Sequence, residues 1–414
     1  MSFNRVSVIG LGYIGLPTAA VIASRGIDVI GVDVNQHAVG TINKGEIHIV
    51  EPDLDIVVRS AVMTGKLKAT VIPEPADAFL VAVPTPFKGE NHEPDLSYIE
   101  SAAKAIAPVL EKGNLVILES TSPVGATEKL AAWLAEARAD LTFPQHKGDA
   151  ADIKVAHCPE RVLPGYVLQE LVSNDRVIGG MSKACSDKAM SLYKTFVKGD
   201  CIITNARTAE MAKLTENSFR DVNIAFANEL SLICDKLKIN VWELIQLANR
   251  HPRVSILNPG PGVGGHCIAV DPWFIVNSCP EQAQLIRTAR EVNDGKPHWV
   301  IEQVCKAADE FKKPVVACLG LAFKADIDDL RESPALDIVK HLAEANVGDI
   351  IAVEPNIHTL PKALEKHNVT LETLANALDR ANVVVVLVDH KEFKAADKTA
   401  FAKKVVIDTR GIVT

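Results

Sequence analysis

The sequence predicts an α/β protein in which two doubly wound domains are joined by a central helical domain with one long helix. Three observations favour this fold class. Short apolar runs alternate with helical patterns near both ends of the chain, as in parallel sheets. About thirty residues from Thr208 carry apolar side chains every three or four positions and contain neither Gly nor Pro. The length of 414 residues fits two or three domains of about 150 residues each.

The N-terminal part, which we place at residues 1–200, begins with apolar runs bounded by turn residues. A helix is expected from about Leu16 to Arg25, and Gly26 follows it at a position where helices commonly end. Alternation of strands with helices indicates βαβ units and a parallel sheet. The predicted strands are Val6–Ile9, Val29–Val32, Phe79–Val83 and Leu115–Leu118.

The central domain is expected at residues 201–312 and contains the long amphipathic helix. A helix of this length either connects domains or forms an oligomer interface, and we favour the interface. The loop Asn258–Gly265 is too rich in Gly and Pro to form a regular element. Further helix is predicted from there to about Lys312.

The C-terminal part, residues 313–414, returns to alternating strands and helices. Ser333 and Pro334 predict a helix start, with the serine as N-cap and the proline in the first turn, and the helix should end near Asn346. The predicted strands are Pro314–Leu319, Asp349–Val353, Asn382–Val388 and Val405–Asp408.

Composition excludes several classes of protein. A net charge of −8, from 44 basic and 52 acidic residues, argues against nucleic-acid binding, which needs a basic patch or stripe. The longest aliphatic run, Val383–Val388, is far shorter than the roughly 20 residues of a membrane span. No signal peptide is visible at the N-terminus, so we expect a cytoplasmic protein without membrane insertion. The eight cysteines include no CxxC pair, so we expect no metal site.

The segment Gly10-Leu-Gly12-Tyr-Ile-Gly15 follows a predicted strand and opens a predicted helix. This Rossmann-like pattern provides a tight turn, a close approach to a pyrophosphate and close packing of helix on strand. Asp33 ends the second strand, where a carboxylate can bind a ribose diol and disfavours the extra phosphate of NADP. The segment therefore predicts an NAD site.

Two loops that follow strands of the same sheet carry candidate hydroxyl groups. They are Ala82–Pro86, with Thr85, and Glu119–Gly125, with Thr121; Thr127 follows the second loop. Ligands bind outside the carboxyl ends of parallel strands, so these threonines could line the cofactor cleft. The alternative for each is a helix cap or turn residue.

Lys213 and Asn217 are four residues apart on the predicted long helix, and Arg220 continues the same face. Such a row is a candidate polar site, and a solvated helix face is the alternative. Lys324 and Arg331 flank Asp326, Asp328 and Asp329 where a nucleotide phosphate could bind in the C-terminal domain. A surface cluster of ion pairs is the alternative there.

Cys267 follows the glycine-rich loop, with His266 before it and Asp271 four residues after it. A thiol beside an imidazole is a candidate nucleophile, because a nearby cation favours the thiolate. A core cysteine is the alternative. The pair His157-Cys158 is a weaker candidate, because it lacks the glycine-rich loop.

Taken together, the chain resembles the UDP-glucose/GDP-mannose dehydrogenase family over nearly its whole length. The resemblance rests on six ordered motifs: GLGYIG at 10–15, ESTSPVG at 119–125, CPER at 158–161, AEMAKLTEN at 209–217, GPGVGGHC at 260–267 and FKADIDDLRESP at 323–334. It implies oxidation of a sugar CH2OH group to a carboxylate, with two NAD used per turnover. A two-electron hydroxyacid dehydrogenase and a catalytically silent NAD-binding scaffold are the alternatives.

The resemblance also implies roles for individual residues. Cys267 would capture the aldehyde intermediate, with Lys213 as acid or base and, with Asn217, as oxyanion donor. Asp271, Glu160 and Thr121 would position or activate water. The residues implied in NAD binding are Gly10, Gly12, Tyr13, Ile14, Gly15, Asp33, Thr85, Thr127 and Arg331. Those implied in binding the UDP-sugar are Arg161, Val162, Lys213, Asn217, Arg220, His251, Arg253, Gly264 and Lys324. Arg253 matches a position that a neighbouring subunit supplies in the family, so a homodimer is expected.

Overall fold

The structure, a computed structural model, describes residues 3–89, 91–163, 165–265 and 267–413. Its contacts divide the chain into two compact units, Met1–Glu216 and Asn217–Thr414. The three predicted domains, 1–200, 201–312 and 313–414, stay a prediction.

The described residues of the first unit form an eight-stranded sheet and a short two-stranded ribbon. The order in the sheet is β10-β9-β8-β7-β4-β1-β2-β3, and neighbouring strands are parallel except for the antiparallel pair β8 and β9. The ribbon pairs β5 with β6. The strands are β1 (Arg5–Ile9), β2 (Asp28–Val32), β3 (Leu67–Thr70), β4 (Ala78–Val81), β5 (Phe87–Lys88), β6 (Glu93–Pro94), β7 (Leu115–Leu118), β8 (Lys154–His157), β9 (Arg176–Gly180) and β10 (Cys201–Asn205).

Helices cover both faces of this sheet, and an apolar cluster lies on each face. The strands β4 and β7 are buried along their whole length, which explains their unbroken apolar sequences. The helices are α1 (Gly15–Ser24), α2 (Gln36–Asn43), α3 (Leu54–Met63), α4 (Ser97–Ile106), α5 (Ala126–Ala137), α6 (Pro144–Lys147), α7 (Val167–Ser173) and α8 (Lys183–Tyr193).

The predicted long helix is confirmed as α9 (Ala206–Leu237), which has 32 residues. The boundary between the two units falls within it, between Glu216 and Asn217. Three of its large apolar side chains, Phe219, Phe226 and Ile233, recur every seven residues and are exposed. Three helices follow: α10 (Val241–Ala248), α11 (Asp271–Ser278) and α12 (Gln284–Ala308).

The second unit contains a five-stranded parallel sheet among its described residues, in the order β13-β12-β11-β14-β15. Apolar clusters again lie on both faces. The strands are β11 (Val315–Leu319), β12 (Asp349–Val353), β13 (Val369–Leu371), β14 (Val383–Val386) and β15 (Val405–Asp408), and the helices are α13 (Pro334–Glu344), α14 (Leu374–Arg380) and α15 (Lys391–Lys394).

The predicted fold class, two doubly wound sheets with a helical middle, is confirmed. Most predicted elements lie within two residues of the observed ones, although β4 ends at Val81 rather than Val83. Ser333 is the N-cap of α13, and its hydroxyl accepts a hydrogen bond from the Leu336 N–H. Helix α12 ends at Ala308, before the predicted limit at Lys312, and the prediction for the first unit omitted β3, β5, β6, β8, β9 and β10.

Candidate active site

The turn between β1 and α1 has room only for glycine at two of its positions. Gly10 has φ +91°, and a Cβ there would lie 2.5 Å from the Ala82 carbonyl oxygen. A Cβ at Gly15 would lie 1.8 Å from the Gly10 carbonyl oxygen. Gly12 is exposed and a Cβ there would meet nothing within 4 Å. The turn is therefore closed on its inner side and open at Gly12, where a ligand can approach the backbone.

The surroundings of this turn fit a dinucleotide. Helix α1 starts at Gly15, and the side chain of its N-cap residue Ile14 makes no capping hydrogen bond, so the positive end of the helix dipole can face an anion. The Asp33 carboxylate accepts hydrogen bonds from the Leu11 N–H at 2.8 Å and the Asn35 N–H at 2.8 Å, and it is only partly buried. Its remaining acceptor capacity suits a ribose diol. Tyr13 and Ile14 are half-buried in the same turn.

The three candidate threonines have different surroundings. The Thr85 hydroxyl donates to the Thr121 carbonyl oxygen, which ties the two loops together. Thr127 is fully buried, and its hydroxyl donates to Glu210 Oε1 at 2.6 Å. Glu210 also accepts from the N–H groups of Gly125 and Thr127 at 2.6 and 2.8 Å, so it caps α5. The hydrogen bonds of Thr127 are therefore those of a residue at the start of a helix, which was the alternative to a role in the cofactor cleft.

Glu160 lies in a buried cluster that was not predicted from the sequence. Its Oε2 accepts from Arg176 Nη1 at 2.5 Å, and its Oε1 accepts from the Arg161 N–H at 2.7 Å. Glu119 is buried in the same cluster and accepts from the Tyr193 hydroxyl at 2.6 Å. Burial, reinforced by the charge of Glu160, raises the pKa of Glu119 to about 7.

The neighbouring candidates of the first unit are held by internal contacts. Arg161 pairs with Glu216 at 2.7 Å, and Val162 packs against the apolar core. His157 and Cys158 are both fully buried. Burial lowers the pKa of His157 to about 3 and raises the pKa of Cys158 to about 12. This pair therefore has the character of a core pair rather than that of a nucleophile and its base.

The second unit brings together three of the predicted catalytic residues. The Asn217 side-chain amide donates to Asp271 Oδ2 at 2.5 Å, and both residues are buried. The Asp271 N–H donates to the Cys267 carbonyl oxygen at 2.9 Å, so Cys267 lies one turn before α11. Cys267 itself is exposed, unlike a core cysteine. Lys213 is half-buried one helical turn before Asn217 on α9.

The loop before Cys267 is anchored at two points. The Gly260 N–H donates to Asn228 Oδ1 at 2.9 Å, and the Gly265 N–H donates to the Glu332 carbonyl oxygen at 3.3 Å. A Cβ at Gly264 would lie 2.3 Å from that same carbonyl oxygen, so only glycine fits there. The predicted neighbour His266 lies outside the described residues.

A buried polar network between α9 and α12 supports the first anchor. The Asn228 amide donates to Asn293 Oδ1 at 2.8 Å, and the Asn293 amide donates to Asp221 Oδ1 at 2.8 Å. Arg290 pairs with the same Asp221 oxygen at 2.6 Å. The network fixes the side chain that receives the Gly260 N–H, so it positions the start of the loop.

The remaining candidates of the second unit lie nearer the surface. Arg220, His251 and Arg253 are exposed, which leaves them accessible to a ligand or a partner. Lys324 is half-buried in the loop after β11. Arg331 is exposed and pairs with Asp329 at 2.6 and 2.8 Å, the arrangement that the ion-pair alternative predicts.

Three family models match consecutive parts of the chain. They are the NAD binding domain, the central domain and the UDP binding domain of the UDP-glucose/GDP-mannose dehydrogenase family, at residues 4–197, 207–295 and 317–414. The chain belongs to this family. It is accordingly an NAD-dependent dehydrogenase, and the cofactor predicted from the turn after β1 is confirmed as NAD.

Individual members of the family are similar over nearly their whole length. A UDP-N-acetyl-D-mannosamine dehydrogenase of Campylobacter jejuni is 68% identical over 392 residues, 94% of this chain and 96% of that protein. An NDP-N-acetyl-D-galactosaminuronic acid dehydrogenase of Ralstonia nicotianae is 65% identical over 412 residues, 100% of this chain and 97% of that protein. The solved structure of a UDP-D-ManNAc dehydrogenase from Pyrococcus horikoshii matches with a TM-score of 0.88 at 40% identity and covers 99% of this chain and 96% of that chain.

A helix needs about 20 consecutive, mostly apolar residues to cross a bilayer. Within the described residues, no helix is long and apolar enough to do so.

Proposed function

We propose that the protein oxidises UDP-N-acetyl-D-mannosamine to UDP-N-acetyl-D-mannosaminuronate, a four-electron oxidation at C6 of the sugar. The observation that carries the reaction class is the exposed Cys267 next to the buried pair Asn217 and Asp271. An accessible thiol beside fixed polar groups suits covalent capture of an aldehyde. The substrate rests on the similarity to enzymes named for this sugar.

The proposed sequence of bonds starts with loss of a proton from the C6 hydroxyl and of a hydride from C6, which gives an aldehyde. The Cys267 sulfur adds to the aldehyde carbon, and the oxygen takes up a proton to give a thiohemiacetal. Loss of a second hydride and a proton gives a thioester. Water then attacks the thioester carbon and breaks the C–S bond, which releases the acid and restores the thiol. When NAD is held at the turn after β1, it would supply the hydride acceptor for each oxidation.

In this scheme Lys213 and Asn217, which are four residues apart on α9, supply proton transfer and charge stabilisation. Lys213 takes the hydroxyl proton and, with Asn217, donates to the oxygen that becomes negative when sulfur or water adds. Asp271 orients the Asn217 amide through the 2.5 Å hydrogen bond. The predicted roles of Asp271, Glu160 and Thr121 in activating water stay predictions. Glu160, whose two oxygens are both hydrogen-bonded, would act through its remaining lone pairs.

Other nucleotide sugars are the alternatives for the substrate. The similarity to the Ralstonia enzyme supports an N-acetylgalactosamine nucleotide as one alternative. UDP-N-acetylglucosamine and UDP-glucose are further candidates. These sugars differ from N-acetylmannosamine in the configuration at one or two ring carbons, and glucose also lacks the N-acetyl group, so a few polar contacts decide among them. Initial rates with NAD against this panel, with each acid product identified by mass, test the choice. A higher kcat/KM for any other sugar would overturn the assignment to the mannosamine epimer.

The covalent mechanism is tested by Cys267→Ser, with Cys279→Ser as the matched control. Both cysteines are exposed in the second unit, and Cys279 has no role in the scheme. Cys267→Ser should lose acid formation or stop at an enzyme-linked sugar visible by intact mass, while Cys279→Ser should keep the parent rate. The parent should form two NADH per sugar. Full turnover by Cys267→Ser, or one NADH with release of aldehyde, would refute the scheme.

We further infer a homodimer built on α9 and a product used for bacterial surface polysaccharide, enterobacterial common antigen in particular. The exposed apolar side chains Phe219, Phe226 and Ile233 support the dimer, because a seven-residue repeat places them along one side of the helix. The use of the product follows from the family resemblance and from no residue of the site.

A further inference from the structure

The second unit contains a cavity of about 310 Å³ that is lined by none of the predicted catalytic residues. Its walls come from the end of α9, the start of α10, the middle of α12 and the end of β15. Much of the lining is apolar or aromatic, with Trp242, Trp299, Ile239, Val241 and Pro259. An apolar cavity with a few polar groups is the usual form of a small-molecule site.

A buried lysine lies in the wall of this cavity. Lys296 is 2% exposed, its Nζ donates to Ser231 Oγ at 2.6 Å, and it lies 4.0 Å from the centre of the Trp299 ring. Both partners are neutral. Among the described residues no carboxylate lies within ion-pair distance of this ammonium group, although the other buried cations of the helices and strands, Arg176 and Arg290, each have one.

The surroundings of Lys296 are unfavourable for a positive charge. Burial lowers the pKa of Lys296 to about 8, and the charge of Asp235 offsets only part of the effect. A buried charge without a counter-ion costs several kcal/mol, whereas an anion that hydrogen-bonds to it recovers much of that cost. The cavity therefore favours a ligand with a negatively charged group next to Lys296.

The other titratable groups of the lining limit that ligand to a single charge. They are Cys234 and Asp235 on α9 and Asp408 at the end of β15. Asp408 accepts hydrogen bonds from the N–H groups of Arg410, Gly411 and Val413, at 2.7 to 3.0 Å. Two carboxylates against one ammonium disfavour a di- or triphosphate, and with it the nucleotides of the proposed reaction.

We propose that this cavity is a second ligand site, which binds a small aromatic monocarboxylate. The carboxylate pairs with Lys296, and the ring packs against Trp242 and Trp299. The ligand also contacts Pro259, the residue before Gly260, whose N–H is anchored on Asn228. The site thus adjoins the start of the loop that leads to Cys267.

Titration calorimetry of the full-length protein with 3-phenylpropionate tests this site. Saturating UDP is present throughout, so that the predicted substrate site is filled. We expect saturable binding of one molecule per chain, and much weaker binding of 3-phenylpropan-1-ol, which keeps the ring and lacks the charge. Lys296→Met should weaken the binding of 3-phenylpropionate by about tenfold or more, because it removes a hydrogen bond between charged groups. Lys306→Met, which removes an exposed lysine from the same helix, should leave the affinity unchanged.

Proton uptake gives a second readout that needs no variant. With a pKa of about 8, about half of the Lys296 side chains are neutral at pH 8, so binding of a carboxylate should take up about half a proton per ligand. Calorimetry in buffers of different ionisation enthalpy measures this uptake. The proposal would be overturned by the absence of saturable binding, by equal binding of the alcohol, by a lack of proton uptake, or by an unchanged affinity in folded Lys296→Met.

Discussion

Arg176→Met should destabilise the first unit strongly, because it removes one member of a buried ion pair. The side chains of Arg176 and Glu160 are 1% and 6% exposed, and Nη1 lies 2.5 Å from Oε2. Arg176 also donates to the Leu171 carbonyl oxygen at 3.0 Å and lies over the Tyr193 ring at 5.5 Å. The substitution keeps an apolar side chain in place but leaves Glu160 without its cation.

Breaking a buried pair in this way costs about 3–5 kcal/mol. Since each 1.4 kcal/mol is a factor of ten, hydrogen exchange in β8 and β9 should lose about a hundredfold or more of its protection. Hydrogen exchange followed by mass spectrometry measures this locally, without requiring reversible unfolding of the whole chain.

Arg207→Met is the matched control. Arg207 forms a bidentate pair with Glu128 in the same unit, but its side chain is 61% exposed, so its loss should cost no more than about 1 kcal/mol. The double variant Glu160→Gln with Arg176→Met should recover part of the lost protection, because it removes the orphaned charge. A change in Arg176→Met no larger than that in Arg207→Met would refute the assignment of a buried, strongly coupled pair.

Two further predictions concern the same unit. Because burial raises the pKa of Glu119 to about 7, the folded state holds this proton more tightly than the unfolded state, and stability should fall by about 3 kcal/mol as pH rises from 4.5 through 7. Glu119→Gln keeps an acceptor for Tyr193, so its melting temperature should exceed that of the parent at pH 8 and equal it at pH 4.5; parallel profiles would contradict this. Gly15→Ala should weaken NAD binding by about tenfold to a hundredfold, because its Cβ would lie 1.8 Å from the Gly10 carbonyl oxygen. Gly40→Ala, which adds a methyl group in open space on α2, should bind NAD like the parent. A fluorescence titration with NAD measures the affinity of both variants.

Hydrophobic pattern was sufficient to predict the central strands but not the outer half of the first sheet. Strands β4 and β7 are unbroken apolar runs because both of their faces are covered. Strand β9 has Arg at its start and two Gly at its end, which is unusual for a strand, whereas β10 has the β-branched residues of a strand but is largely exposed. These strands form because a neighbouring strand pairs with them, and pairing is a property of the sheet rather than of the segment.

At the candidate site, too, contacts between residues far apart along the chain could not be predicted from the sequence. Cys267 and Asp271 could be predicted as partners because four residues separate them along the chain. Glu210 and Thr127 are 83 residues apart, and Asn217 and Asp271 are 54 apart, so their hydrogen bonds depend on the fold. The sequence also gives no sign that Arg176 and Glu119 are buried, because both residue types are usually exposed.

The turns after β1 and β11 share their backbone geometry and differ in the burial of the acidic side chain that each one contacts. Both are built alike: the Gly10 and Gly320 N–H groups each donate at 2.8 Å to the carbonyl oxygen that ends the next strand. In both, the following leucine N–H donates to an acidic side chain, Asp33 in the first unit and Glu354 in the second. The backbone geometry of the turn therefore cannot be what distinguishes a site for NAD from a site for another nucleotide.

The acidic side chains differ in what remains available to a ligand. Asp33 is partly exposed, whereas Glu354 is 4% exposed and accepts from Leu321, Ala322 and His390, the last at 3.0 Å. Burial alone would raise the pKa of Glu354, but these hydrogen bonds lower it, so it is a carboxylate saturated by protein donors. It cannot receive a ribose diol as Asp33 can. A nucleotide in the second unit must then be held by other side chains, and we predict that the half-buried Lys324, in the loop after β11, is one of them.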